Sequence, residues 1–103
     1  MKDVAISIIN YNTAKYTIAC INSIISHTSK DVTFDIIVID NNSEPDDFEY
    51  LANNLQVQEN IILHRSPINK GFGGGHMKSL PYVNARYFFC LLYTSPSPRD
   101  TRS

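Results

Sequence analysis

The sequence predicts an α/β fold, a three-layer, mostly parallel sheet flanked by helices. Three observations predict it. Short apolar runs rich in β-branched residues alternate with stretches of helical periodicity, in the order βαβαβαβ. The strand-like runs are near-continuously apolar, as suits strands covered on both faces. The connections between them are long enough for crossover helices, which parallel pairing requires.

The first strand is Val4-Ala5-Ile6-Ser7-Ile8-Ile9. Asn10-Tyr11-Asn12-Thr13 breaks it, and Asn12 or Thr13 is placed to cap a first helix. Ala14, Ile18, Ile21 and Ile25 then recur at helical spacing to about His27, with Ile24 widening the stripe. Cys20 sits beside that stripe and reads as a small buried thiol. Phe34-Asp35-Ile36-Ile37-Val38-Ile39-Asp40 is the second strand, closed by the turn residues Asn41-Asn42-Ser43.

Pro45 suits a first helical turn, and Glu44, Asp46 and Asp47 suit the positive end of the helix dipole. Phe48, Leu51, Ala52 and Leu55 give that helix an apolar face. Ile61-Ile62-Leu63-His64 is a third strand. After it come a loop, the glycine-rich stretch Gly71–Gly75 and a short helix that Pro81 ends or kinks early. Tyr87-Phe88-Phe89 is the last strand.

Composition narrows the function. The chain has 103 residues with nine Lys+Arg against ten Asp+Glu, a formal net charge of −1. That excludes a nucleic-acid binder held by a basic face. No apolar stretch approaches the roughly 20 residues of a membrane span, and the chain enters its first strand without room for a signal peptide. Cys20 and Cys90 have no metal-ligand spacing and are too few for a disulfide scaffold. The expectation is a soluble, cytoplasmic protein without a transmembrane segment.

From Cys90 the character changes. Cys90-Leu91-Leu92-Tyr93-Thr94-Ser95-Pro96-Ser97-Pro98-Arg99-Asp100 resembles the translation, in one frame, of a transposase-type sequencing adapter. The alternative is a natural Ser/Pro-rich linker. On the first reading, residues 1–89 are a partial domain, residues 90–103 are a non-native tail disordered beyond 93, and the natural protein continues past Phe89.

In parallel sheets ligands bind beyond the carboxyl ends of the strands. That rule picks out Asn10–Asn12, Asp40–Ser43 and the loop after His64. Asp40 can accept from a ligand N–H, coordinate a metal, or cap the next turn. Asn10 and Asn12 offer amide donors and acceptors, or a turn and a helix cap. Tyr11 can stack on a flat ring. In Asn69-Lys70-Gly71-Phe72-Gly73-Gly74-Gly75-His76, four glycines let backbone N–H groups approach a ligand closely. Two familiar motifs fail there: His76 stands where a dinucleotide fingerprint needs glycine, and Phe72 and Met77 stand where a P-loop does.

Together Ile8-Ile9-Asn10-Tyr11-Asn12, Ile37-Val38-Ile39-Asp40-Asn41-Asn42-Ser43 and Asn69–His76 resemble the N-terminal half of a family-2 glycosyltransferase, of the rhamnosyltransferase-like subgroup. The resemblance implies the nucleotide-binding half of a GT-A fold, with sheet order 3-2-1-4. It implies that Asn10, Tyr11 and Asn12 lie along the nucleotide and that Asp40 accepts from the pyrimidine ring N–H. It also places Asn42, Asn69, Gly71 and His76 in the nucleotide-sugar site. His76 stands where the family often has Asn, and Ser79 replaces a frequent glycine.

The same resemblance puts the metal-holding aspartate and the general base beyond Phe89. No catalytic or metal residue is therefore expected within residues 1–89, and the chain as given is expected to be inactive. The full-length enzyme would use a divalent metal, Mn or Mg. It would transfer a sugar with inversion from a UDP- or dTDP-linked donor to a polysaccharide or lipid-linked glycan, at the inner membrane face. Its base would deprotonate an acceptor hydroxyl that attacks the anomeric carbon. Two other classes fit less well. A receiver-like signalling module with Asp40 as phosphoacceptor needs an acidic pair after the first strand, and Asn10-Tyr11-Asn12 has none. A dinucleotide-binding half-domain needs its glycines after the first strand, not the third.

Overall fold

A computed structural model describes residues 1–55, 59–66 and 80–91. The elements are β1 (Lys2–Asn10), α1 (Ala14–His27), β2 (Phe34–Asp40), α2 (Pro45–Asn54) and β3 (Ile61–Arg65), then a single 3-10 turn at Leu80–Tyr82 and β4 (Ala85–Leu91). The four strands form one sheet in the order β3-β2-β1-β4, and all three strand pairs are parallel. This is the expected α/β class and the expected order. Asn69, Gly71, His76, the helix read between Gly75 and Pro81, and residues 93–103 lie outside the described residues.

The apolar-on-both-sides pattern has its cause in two cores. Ile8, Ile36 and Val38 meet Ala14 and Ile21 of α1 and Leu51 of α2 on one face. Ala5, Ile9, Ile37 and Ile39 turn to the other, where Tyr82, Val83, Ala85 and Phe88 pack. Ile36, Ile37, Val38 and Ile39 are all fully buried, each burial favouring the fold by about 1.5–3 kcal/mol. Right-handed crossovers explain the division. Two successive crossovers step in the same direction along the sheet, so both helices lie on the first face. β4 lies on the other side of β1, and Tyr82, Val83 and Ala85 lie on the second face.

Several local expectations shift. β1 starts at Lys2 rather than Val4, because its N–H donates to the Asn84 carbonyl (3.0 Å) and its ammonium pairs with Asp35 (3.0 Å). β4 is longer than Tyr87–Phe89 at both ends, because β1 offers it partners from Lys2 to Ile8. The ladder thereby takes in Cys90 and Leu91, opposite Ser7 and Ile8. Ala52 is exposed, since α2 centres its buried face on Leu51 and places Ala52 at the rim. Within α1 the buried line is Ala14, Thr17 and Ile21, with Ile18, Ile24 and Ile25 partly buried beside it. Cys20 is partly buried against the same core, and burial raises its thiol pKa.

Neither Asn12 nor Thr13 caps α1. Thr13 occupies the N-cap position without a side-chain cap bond. The Ala14 N–H instead donates to Asp47 Oδ1 (3.1 Å), a carboxylate from the first turn of α2. The two helix N-termini converge at the carboxyl edge of the sheet, so one acidic side chain serves both. Among the described residues no helix is long and apolar enough to cross a membrane.

Candidate functional site

Parallel register builds a row of three polar side chains at the carboxyl edge. Asn10 ends β1 opposite Asp40, which ends β2, and Asp40 stands opposite Arg65, which ends β3. The ladder continues one step further, with the Asn41 N–H donating to the Asn10 carbonyl and the Ser66 N–H to that of Asp40, both at 2.8 Å. The backbone at this edge is therefore held as firmly as a strand while its side chains differ from the apolar run beneath.

Asn10 is fully buried and its carboxamide is the hub. The amide nitrogen donates to Asp40 Oδ1 (2.8 Å) and Asp47 Oδ2 (3.0 Å), with Ser43 Oγ at 3.2 Å. Carboxylates only accept, so the –NH2 must face them. The carbonyl side accepts from Thr17 Oγ1 (2.6 Å) and Thr13 Oγ1 (3.3 Å). One neutral amide thus satisfies two acidic side chains and two hydroxyls. A buried carboxylate without such partners is strongly unfavourable.

Asp40 is also fully buried. Its second oxygen accepts from the Ser43 N–H (3.1 Å) and lies 3.6 Å from Arg65 Nε. Arg65 is held mainly by others: Nη2 donates to the Ser43 carbonyl (2.8 Å), and the guanidinium lies over the Phe48 ring, 4.5 Å from its centre. In this state the Asp40 carboxylate is turned inward, onto Asn10 and Ser43.

The two loops above this row are stitched together. The Asn12 N–H donates to Ser43 Oγ (2.9 Å), and Asn12 Oδ1 accepts from the Glu44 N–H (2.9 Å). Asn12 and Asn42 have positive φ, 54° and 63°. Asparagine tolerates this left-handed conformation better than other non-glycine residues, which accounts for its presence at both turns. Asn12, Asn42 and Tyr11 are exposed at the edge. The structure therefore gathers Asn10, Tyr11, Asn12, Asp40 and Asn42 at one edge, with Asn10 and Asp40 underneath and the other three at the surface.

Two of the cavities lined by described residues lie at opposite edges of the sheet. One of about 490 Å³, lined by Asn12, Lys15, Asp46, Asp47 and Tyr50 among others, opens between the N-termini of α1 and α2. Glu44 joins the two aspartates there against Lys15 alone, so the charge disfavours an anionic ligand. The other, about 520 Å³, lies at the opposite, amino edge, beside Lys2, Thr33 and Asn60. None of the gathered polar residues lines it.

The described residues do not suit a metal ion. Among the described residues no three His, Cys, Asp or Glu side chains come together to hold one. Asp40 and Asp47 are both engaged by the Asn10 amide.

Sequence reasoning missed three members of this site. Thr17 falls in the apolar stripe of α1, where a lone hydroxyl three residues after Ala14 and four before Ile21 signals a buried partner. Asp47 reads as a dipole residue, with no local sign that it reaches a second helix. Arg65 ends its strand level with Asp40, a relation visible only once β2 and β3 are set in register.

A comparison with curated proteins gave no match. The family model described as glycosyl transferase family 2 matches residues 5–91, from within β1 to the end of β4. The chain belongs to glycosyl transferase family 2.

Proposed function

We propose that this chain is the nucleotide-binding part of an enzyme that transfers a sugar from a pyrimidine-nucleotide donor, UDP- or dTDP-linked, to a polysaccharide or lipid-linked glycan. The transfer would invert the anomeric centre, at the cytoplasmic face of the inner membrane. The observation that carries the reading is the convergence of Asn10, Asp40 and the Tyr11–Asn12 and Asn42 loops at the carboxyl edge, where open α/β sheets bind ligands. In this reading Tyr11, 44% exposed, stacks on the base. Asn12 and Asn42 present polar atoms along the nucleotide, and Asp40 accepts from the ring N–H.

Asn69, Gly71 and His76 would complete the donor site from the glycine-rich loop. The general base, and an aspartate holding a divalent metal, would be supplied by other parts of the enzyme. Calorimetric titration with UDP or dTDP against ADP tests the proposal. Preference for the pyrimidine nucleotides is expected, and equal or stronger binding of ADP would overturn it.

A further inference from the structure

The partners of Asp40 differ in one respect that decides how a ligand reaches it. Asn10 and Ser43 are buried with it, whereas the Arg65 side chain is 35% exposed. Among the described residues, Arg65 is the solvent-facing partner of that carboxylate. A ligand N–H directed at Asp40 therefore enters where Arg65 now sits.

The contact there is loose. At 3.6 Å from Nε to Oδ2 it is an ion pair without a well-formed hydrogen bond. The guanidinium is anchored elsewhere, by the Ser43 carbonyl and the Phe48 ring. It can pivot on those anchors and stay at the site.

We propose that Arg65 is a specificity-determining residue that works with Asp40. It yields its place at Oδ2 to the ring N–H of a bound pyrimidine and donates to the ring carbonyl beside that N–H. The proposal rests on the nucleotide reading above and adds to it a residue outside the three sequence motifs. Its physical basis is exchange. Parting a guanidinium from a buried carboxylate is costly when either is left unmatched. An imide edge offers an N–H to the carboxylate and a C=O to the guanidinium, so it satisfies both at once. A ring lacking the N–H leaves the carboxylate one donor short, and a ring lacking the C=O gives the guanidinium no replacement for the contact it yields.

The test is calorimetric titration of the full chain and of Arg65→Met with UDP, 3-methyl-UDP, 2-thio-UDP and 4-thio-UDP. Met keeps an unbranched side chain against Phe48 and removes the donors. The native chain should lose about tenfold in affinity with one of the two thio analogues, because sulfur is a weak acceptor. In Arg65→Met that penalty should fall below about twofold, while the 3-methyl penalty persists. Equal thio penalties in both proteins, or none in the native chain, would overturn the role of Arg65. Full-strength binding of 3-methyl-UDP would instead overturn base reading by Asp40. Should Arg65→Met fail to fold, the Arg65 Nε–H resonance of the native chain decides. It should move on saturation with UDP, and an unmoved resonance overturns the proposal.

Discussion

Asn10 and Asp40, thirty residues apart in sequence, are register partners on adjacent parallel strands and are joined by an amide-to-carboxylate hydrogen bond of 2.8 Å. Both are fully buried. The bond ties the ends of β1 and β2 together at the level where their loops leave the sheet. It makes the geometry of the edge depend on one neutral side chain facing Asp40 and Asp47 together.

Replacing that side chain should be among the most damaging changes. Asn10→Ala leaves Asp40, Asp47 and Thr17 each short of a partner. A loss of about 3 kcal/mol is expected from chemical denaturation. Asn10→Asp should be worse at neutral pH, since it sets a third carboxylate between two others. Its folded-state pKa would be raised by like charge, so its destabilisation should shrink as the pH falls. A neutral-pH denaturation midpoint like that of the native chain in either variant would contradict the wiring described.

Asp47 of α2 accepts from the first N–H of α1. Asp47→Ala removes the acceptor for the Ala14 N–H and one acceptor of Asn10. A cost of about 1–2 kcal/mol is expected, as for loss of a helix cap. Asp47→Asn keeps one acceptor oxygen and should cost less. Hydrogen exchange at the first turn of α1 should rise in Asp47→Ala, and unchanged exchange there would remove the cross-helix cap from the account.

Thr17 tests whether polarity or packing explains its burial. Thr17→Val preserves shape and removes the 2.6 Å hydrogen bond to Asn10 Oδ1. About 1 kcal/mol should be lost in a thermal or denaturant melt. A stabilised Thr17→Val would show the hydroxyl to be incidental.

The amino edge gives a pH signature of its own. The Asp3 carboxylate accepts from the Thr33 N–H (3.0 Å), and that bond first of all holds its pKa below the ordinary 3.8. A depressed folded-state pKa means the contribution is present above the unfolded value and is lost as the pH falls through the folded one. Carbon-13 titration of the Asp3 side chain should therefore give a midpoint below 3.8. Thr33→Pro, which removes the donor, should raise it toward the ordinary value.

The architecture was legible because β1 and β2 are covered on both faces. Runs such as Ile36–Ile39 carry no alternation that a half-exposed strand would show, and they alternate with helical stripes, which points to parallel pairing. The edge residues Asn10 and Asp40 were legible because each interrupts an apolar run at its carboxyl end. Other features depend on distance across the fold. Asp47 carries the ordinary acidic signature of a first helical turn, and only the convergence of two helix N-termini gives it a second task. Arg65 looks like a polar strand end until β3 lies beside β2. Thr17 was hidden by its own helix, where periodicity marks apolar neighbours and not a hydroxyl aimed at the sheet. Ala52 failed in the opposite way, since periodicity gives a face but not its rim.

The central claim is that the carboxyl edge binds the nucleotide. The most direct measurement is amide chemical-shift mapping of the nitrogen-15-labelled chain during titration with UDP. Perturbations are expected at Tyr11 and Asn12, at Asn41, Asn42 and Ser43, and at Arg65 and Ser66, with little change at Lys2, Thr33 and Asn60 of the opposite edge. Shifts confined to the amino-edge cavity beside Lys2, Thr33 and Asn60, or none at saturating UDP, would contradict it.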